Sequence, residues 1–188
     1  LLERDNIARW EQIAPGVAPR VLEFHEQGED ASLLLEFLEG ATLQELLVDA
    51  DWEAACAALQ AVQHTLSDVW RRTRKSPDPG RSPPPANFVR QIRVRLDDVC
   101  RIHPHYRTPE RRIGALSIPS LEERLSRAEQ IEARLSAPFS TFIHGDFNVD
   151  NVIYEPQSGS VHFIDLHRSC DSDYVQDVSV FLVSVFRQ

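Results

Sequence analysis

Two carboxylates and a carboxamide stand near one another in the last third of the chain. His144-Gly145-Asp146-Phe147-Asn148-Val149-Asp150-Asn151 sets Asp146 and Asn151 five residues apart. Phe163-Ile164-Asp165 adds a second carboxylate after a short hairpin. A carboxylate such as Asp146 can take a proton from a hydroxyl group. Asn151 and Asp165 offer amide and carboxylate oxygens, which Mg²⁺ binds alongside water. Together the three suit phosphoryl transfer, where most of the work is positioning and charge neutralisation. Plainer roles are open to each. Asp and Asn stabilise turns, and Asp165 taken alone is well placed to cap a helix after a strand. The coincidence of all three favours the chemical reading.

The elements that must position them are legible around the loop. Thr141-Phe142-Ile143 is an apolar run leading in. Val152-Ile153-Tyr154 predicts a strand, 155–160 predicts a turn through Pro156 and Gly159, and Val161-His162-Phe163-Ile164 predicts the return strand. That hairpin brings Asp165 back towards Asn151. Upstream, 2–14 predicts a helix with Ile7, Trp10 and Ile13 near one face and Pro15-Gly16 as its stop. Residues 32–40 predict an apolar strand ending in Gly40. Residues 51–72 predict a long helix carrying Trp52, Ala55, Cys56, Leu59, Val62, Leu66 and Val69, capped by Asp49 or Asp51. The proline-rich stretch 76–86 predicts a loop or stiff spacer within one domain. Residues 87–100 predict a helix with Phe88, Ile92, Leu96 and Val99 on its buried stripe. Ser120 and Glu123 form a capping box opening a helix over 121–135, with Leu121, Leu125, Ala128 and Leu135 buried. Trp10, Trp52 and Trp70 are expected to pack in or near the core.

At the loop the chain resembles the aminoglycoside phosphotransferase and choline kinase-like family, relatives of the protein kinases. His144-x-Asp146-x-x-x-x-Asn151 is similar to that family's catalytic loop, and Ile164-Asp165 is similar to its metal-binding Ile-Asp. The resemblance implies an α+β, protein kinase-like fold. Residues 1–40 would be a remnant of the N-terminal lobe with the hinge, and 41–188 the helical C-terminal lobe with its catalytic hairpin. It implies that Asp146 is the catalytic carboxylate, that Asn151 and Asp165 bind Mg²⁺, and that His144 braces the loop. Glu36, Phe37 and Leu38 match the hinge, whose backbone would meet the adenine edge if ATP is the donor. Glu3 matches the Glu that pairs with the phosphate-binding Lys, and reads equally as an exposed residue at a helix start. Asp177, in the largely apolar segment 175–183, matches an Asp that supports the catalytic loop; a helix cap is an equal reading from the residues. The implied activity moves the γ-phosphoryl group of ATP or GTP to a hydroxyl of a small molecule. The rival classes are a non-catalytic kinase-like scaffold and a metal-dependent phosphate-ester hydrolase, which would want more acids or histidines around its metal.

The departures are as specific. The only lysine is Lys75, in a loop after a helix, and no strand lysine is available to hold nucleotide phosphates. The chain has no Met, and 181–188 stops within an apolar helical pattern. It is therefore expected to be part of a longer protein and to turn over little by itself. Hydrophobic content of 42% and charged content of 26% are ordinary for a globular domain. The net charge of −9 disfavours nucleic acid as a partner. No apolar run has the length of a membrane span. Cys56, Cys100 and Cys170 are scattered and read as reduced thiols in a cytoplasmic protein.

Overall fold

The structure is a computed structural model that describes residues 2–28, 30–76, 88–109 and 111–188. The chain divides into two compact units. One is built from residues up to 76 and from 140 onward, the other from the stretch between them. The expected proline-rich spacer lies, beyond Ser76, outside the described residues.

The first unit begins with α1 (Leu2–Ile13), whose buried face carries Ile7 and Trp10. Then come the hairpin β1 (Val21–Gln27) and β2 (Asp30–Leu35), the short strand β3 (Ala41–Thr42), and the helices α2 (Leu43–Val48) and α3 (Trp52–Thr73). After residue 140 follow β6 (Thr141–Ile143), β7 (Val152–Glu155), β8 (Ser160–Phe163), β9 (Cys170–Ser172) and α6 (Val175–Phe186). Trp10 is fully buried and packs edge-on to Phe163 at 5.2–5.5 Å ring separations shared with Phe142. Ala55, Ala58, Val62, Leu66 and Val69 of α3 close the same core. Burial of each large side chain here contributes about 1.5–3 kcal/mol. This core is the floor beneath the loop between β6 and β7.

Two antiparallel pairings fix the site's backbone. β7 lies between β3 and β8, with Ala41 opposite Tyr154 and Val152 opposite Phe163. β6 pairs with β9, setting Ile143 opposite Cys170. Gly40 lets the chain enter β3 at φ +119°; a Cβ there would lie 2.2 Å from the Tyr154 carbonyl oxygen. Thr42 and Glu45 cap α2 reciprocally. Asp51 caps α3, accepting the Ala54 N–H at 3.2 Å, whereas Asp49 ends α2.

The second unit holds α4 (Phe88–Ile102), a 3₁₀ turn at Pro104–Arg107, the hairpin β4 (Arg111–Ile113) and β5 (Leu116–Ile118), and α5 (Leu121–Glu132). The capping box at Ser120 and Glu123 forms as expected. Arg93 joins α4 to α5 through Glu122 at 2.9 Å and Glu129 at 3.3 Å.

Some expectations move. The strand expected over 32–40 ends at Leu35; the Glu36 N–H still donates to the carbonyl of Arg20 across the hairpin at 3.0 Å, and no regular structure follows until β3. Trp52 opens α3 and is 63% exposed, so the buried stripe starts at Ala55. On α4 the buried residues are Val89 and Cys100, while Ile92 and Val99 are exposed. The face turned inward is thus one residue on from the expected stripe. α5 buries Leu125, and Leu135 lies exposed beyond its end. Among the described residues no helix is long and apolar enough to cross a membrane.

Candidate functional site

The site is the loop from His144 to Asn151 with the segment that follows β8. Gly145 explains how the two come so close. It sits at φ +87°, and a Cβ on it would lie 2.3 Å from the Arg168 carbonyl oxygen. Only glycine fits without moving backbone. On its other side the loop is held from α6. Asp177 Oδ2 accepts the His144 N–H and its Oδ1 accepts the Gly145 N–H, each at 2.8 Å. Gln176 Nε2 donates to the Gly145 carbonyl at 2.9 Å, and the Ser184 hydroxyl accepts the Val149 N–H at 3.2 Å. The open choice for Asp177 closes here. It is fully buried and accepts two loop N–H groups, and it lies inside α6, whose N-cap position is Tyr174.

His144 is also fully buried. Its Nδ1 accepts the Asp146 N–H at 3.3 Å, so the ring proton is on Nε2 and is donated to the Ile164 carbonyl at 2.9 Å. Burial pushes its pKa down, which keeps the ring neutral. The imidazole therefore ties the loop to the strand end that carries Asp165. From below, Trp10 Nε1 donates to Ser169 Oγ at 2.9 Å, and that hydroxyl donates to the His144 carbonyl at 3.2 Å. Burial also pushes the Asp177 carboxyl from 3.8 up to about 6, outweighing the two N–H bonds that favour its charge.

The three candidate residues come together. Asn151 Nδ2 donates to the Asp146 carbonyl at 2.9 Å, and the Ile164 N–H donates to the Asn151 carbonyl at 3.1 Å. Asp146 is thus bonded to Asn151 directly, and Asp165 follows the residue whose N–H Asn151 accepts. Asp146 is part-buried; its Oδ1 accepts from Asn148 Nδ2 at 3.1 Å and its Oδ2 lies 3.0 Å from Arg168 Nη1. Asp165 has a left-handed backbone, φ 59° and ψ 53°, which Asp tolerates better than most residues. It stands at the N-cap position of the 3₁₀ turn Leu166–Arg168, yet its side chain caps nothing. Its Oδ1 meets His167 Nδ1 at 2.5 Å. The plain capping alternative for Asp165 is therefore not what the side chain does.

These donors suit Mg²⁺. Asn151 spends an amide N–H on the loop, and no hydrogen bond among the described residues uses its Oδ1. Asp165 is exposed and adds a carboxylate. Among the described residues no three His, Cys, Asp or Glu side chains gather around one point. One or two protein oxygens completed by phosphates and water is how Mg²⁺ is commonly held in phosphoryl-transfer sites.

Glu36, Phe37 and Leu38 follow β2 without regular structure. Glu36 takes the Arg20 N–H and Nε–H, both at 2.6 Å, which hold its carboxyl below the usual range. With the Glu36 N–H committed to Arg20, no hydrogen bond among the described residues uses the Glu36 carbonyl or the Leu38 N–H. Phe37 is 90% exposed. Glu3 lies half-buried in the first turn of α1, one turn before Asn6, whose Nδ2 donates to the Leu166 carbonyl at 2.8 Å. The lone lysine does not reach Glu3; Lys75 pairs with Asp171 at 2.8 Å.

Sequence reasoning missed Asn148, Arg168, Gln176 and Ser184. Asp177 and Ser184 stand seven residues apart, two helical turns on one face, and that spacing was a usable signal. Arg168 meets Asp146 only through the close approach at Gly145, which no spacing reveals.

A solved structure of an aminoglycoside-3'-phosphotransferase of type VIII is similar over 97% of this chain and 63% of its own, with a TM-score of 0.56 at 19% identity. A glucosamine kinase in crystal form B is similar over 97% of this chain and 49% of its own, with a TM-score of 0.53 at 18% identity. The chain thus spans less than two thirds of either structure. At these identities the likeness is one of fold, and that fold is protein kinase-like α+β. No curated protein sequence matches the chain. The model of the phosphotransferase enzyme family matches residues 5–188, and the chain belongs to that family.

Proposed function

We infer that this chain carries the loop and metal ligands of a kinase that transfers the γ-phosphoryl group of ATP or GTP to a hydroxyl of a small molecule. One observation carries the reading: Asn151 bonds to the Asp146 carbonyl within the loop and accepts the N–H of Ile164, the residue before Asp165, so the three stand on one loop-and-strand platform. In this reading Asp146 orients the acceptor hydroxyl and takes its proton. Asn151 Oδ1 and the Asp165 carboxylate hold Mg²⁺, which neutralises charge on the phosphates when bound. Asp177 and His144 keep the loop in place, and the backbone of Glu36 to Leu38 receives the nucleotide base. Glu3 of α1 takes the place of the acid that would pair with a phosphate-binding lysine.

For the acceptor, the two similar structures are of an aminoglycoside phosphotransferase and a glucosamine kinase. Amino sugars therefore head the panel of alcohols to test, and a net charge of −9 is compatible with cationic ones. The free thiols of Cys56, Cys100 and Cys170 suit a reducing cytoplasm. A second reading, a non-catalytic scaffold, is favoured by one fact: the only lysine is engaged with Asp171.

Asp146→Ala in the full-length protein decides between them. Transfer from MgATP or MgGTP is expected to fall by at least about 100-fold, the usual contribution of a positioned proton acceptor, with nucleotide affinity kept. Undiminished turnover would remove Asp146 from its role, and an inactive wild type across the panel would favour the scaffold.

A further inference from the structure

His167 and Arg168 stand between the two candidate carboxylates. Arg168 Nη1 lies 3.0 Å from Asp146 Oδ2. Arg168 Nε–H donates to His167 Nε2 at 3.2 Å. His167 Nδ1 lies 2.5 Å from Asp165 Oδ1. A guanidinium only donates, so a neutral ring here accepts at Nε2 and carries its proton on Nδ1. That proton is then the one given to Asp165. The result is an unbroken line from the Asp146 carboxylate through Arg168 and His167 to the Asp165 carboxylate.

The backbone beneath this line is rigidly placed. The 3₁₀ turn Leu166–Arg168 is closed by the Ser169 N–H to the Leu166 carbonyl at 3.1 Å, and Leu166 is fully buried. The Arg168 carbonyl rests against Gly145. Both ends of the line are therefore fixed by packing, while His167 and Arg168 keep side chains that are 44% and 40% exposed. A bond that merely stabilised the turn would not need both ring nitrogens in opposite roles.

We propose that His167 is a positioning residue, which orients the Asp165 carboxylate and, through Arg168, couples it to Asp146. The proposal rests on the roles of Asp146 and Asp165 given under Proposed function. With Oδ1 held by the ring, Oδ2 of Asp165 is the oxygen presented to a cation. Carboxylates that bind metals are commonly held in this way by a neighbouring donor. Asp146 is held in the same manner by Arg168 and Asn148.

The test uses the full-length protein with ¹⁵N-labelled histidine, and calorimetry with MgATP. Without metal, the His167 ring is expected as the Nδ1–H tautomer. His167→Ala is expected to weaken MgATP binding by about 10-fold, the lower end for losing a partner of a metal ligand, with the thermal unfolding midpoint unchanged. His167→Asn places an amide nitrogen near the Nδ1 position and is expected to recover most of the loss. His167→Gln, whose amide falls nearer Nε2, is expected not to. An Nε2–H tautomer, wild-type MgATP affinity in His167→Ala, or equal recovery by Gln would each overturn the proposal while leaving the kinase reading intact. A wild type that binds no MgATP would overturn the kinase reading, and the proposal with it.

Discussion

The β7–β8 hairpin and the β1–β2 hairpin are both short antiparallel pairs, but they are secured by different means. In β7 and β8 alternate residues point inward, and Val152, Tyr154, Val161 and Phe163 are all buried. The loop that enters this hairpin is fastened by buried donors and acceptors from α1 and α6. In β1 and β2 no residue is buried, and Leu22 and Leu34 are each more than half exposed. The Glu36 end of that hairpin is held by one residue pair, Arg20 with Glu36, through a solvent-facing ion pair and two backbone N–H bonds. A satisfied polar network in a low-dielectric interior fixes one geometry. An ion pair in water is screened and contributes little. The region that bears Asp146 is thus overdetermined, whereas the region proposed to meet the nucleotide base is lightly held.

That contrast can be broken or sharpened by substitution. The largest effect is expected from Asp177→Ala, which strands two buried N–H groups at a cost of about 1–3 kcal/mol each. Chemical denaturation reads it directly, and a loss below about 0.5 kcal/mol would mean that the loop does not depend on this brace. The same carboxyl gives a pH signature. Its folded pKa, about 6, lies above its ordinary 3.8. Between those values the folded chain holds a proton that the unfolded chain has released. The stability contributed by Asp177 is therefore full below the lower value and declines as pH rises through about 6. The wild-type stability minus that of Asp177→Ala should fall across this window and level off above it. The smallest effect is expected from Glu36→Ala, no more than about 1 kcal/mol for an exposed pair. A loss as large as that of Asp177→Ala would erase the distinction between the two regions.

The sequence revealed the parts of the site that depend on local pattern. The β7–β8 hairpin was readable because apolar alternation is interrupted by Pro156 and Gly159. Asn151 and Asp165 were readable as neighbours because a hairpin leaves few other options. What depended on tertiary closure was not readable. Asp177 could have been a cap or a brace until its two N–H partners were known. Arg168 reaches Asp146 only because Gly145 lets the two segments touch. β1 and β9 were missed because both are mostly exposed and β9 is only three residues long, so neither carries a burial alternation in sequence. The stripe on α4 was misplaced by one residue because Arg93, a charged residue, lies half-buried on the inward face and pairs with α5.

The central claim is that Asn151 and Asp165 share one divalent cation beside Asp146. The most direct measurement is a crystal structure of the full-length protein with Mn²⁺ in place of Mg²⁺ and a nucleotide, using anomalous scattering to locate the metal. The expected result is a single peak within about 2.0–2.3 Å of both Asn151 Oδ1 and an Asp165 carboxylate oxygen, with Asp146 outside the coordination sphere. A peak bound by neither residue, or by Asp146 in their place, would contradict the account.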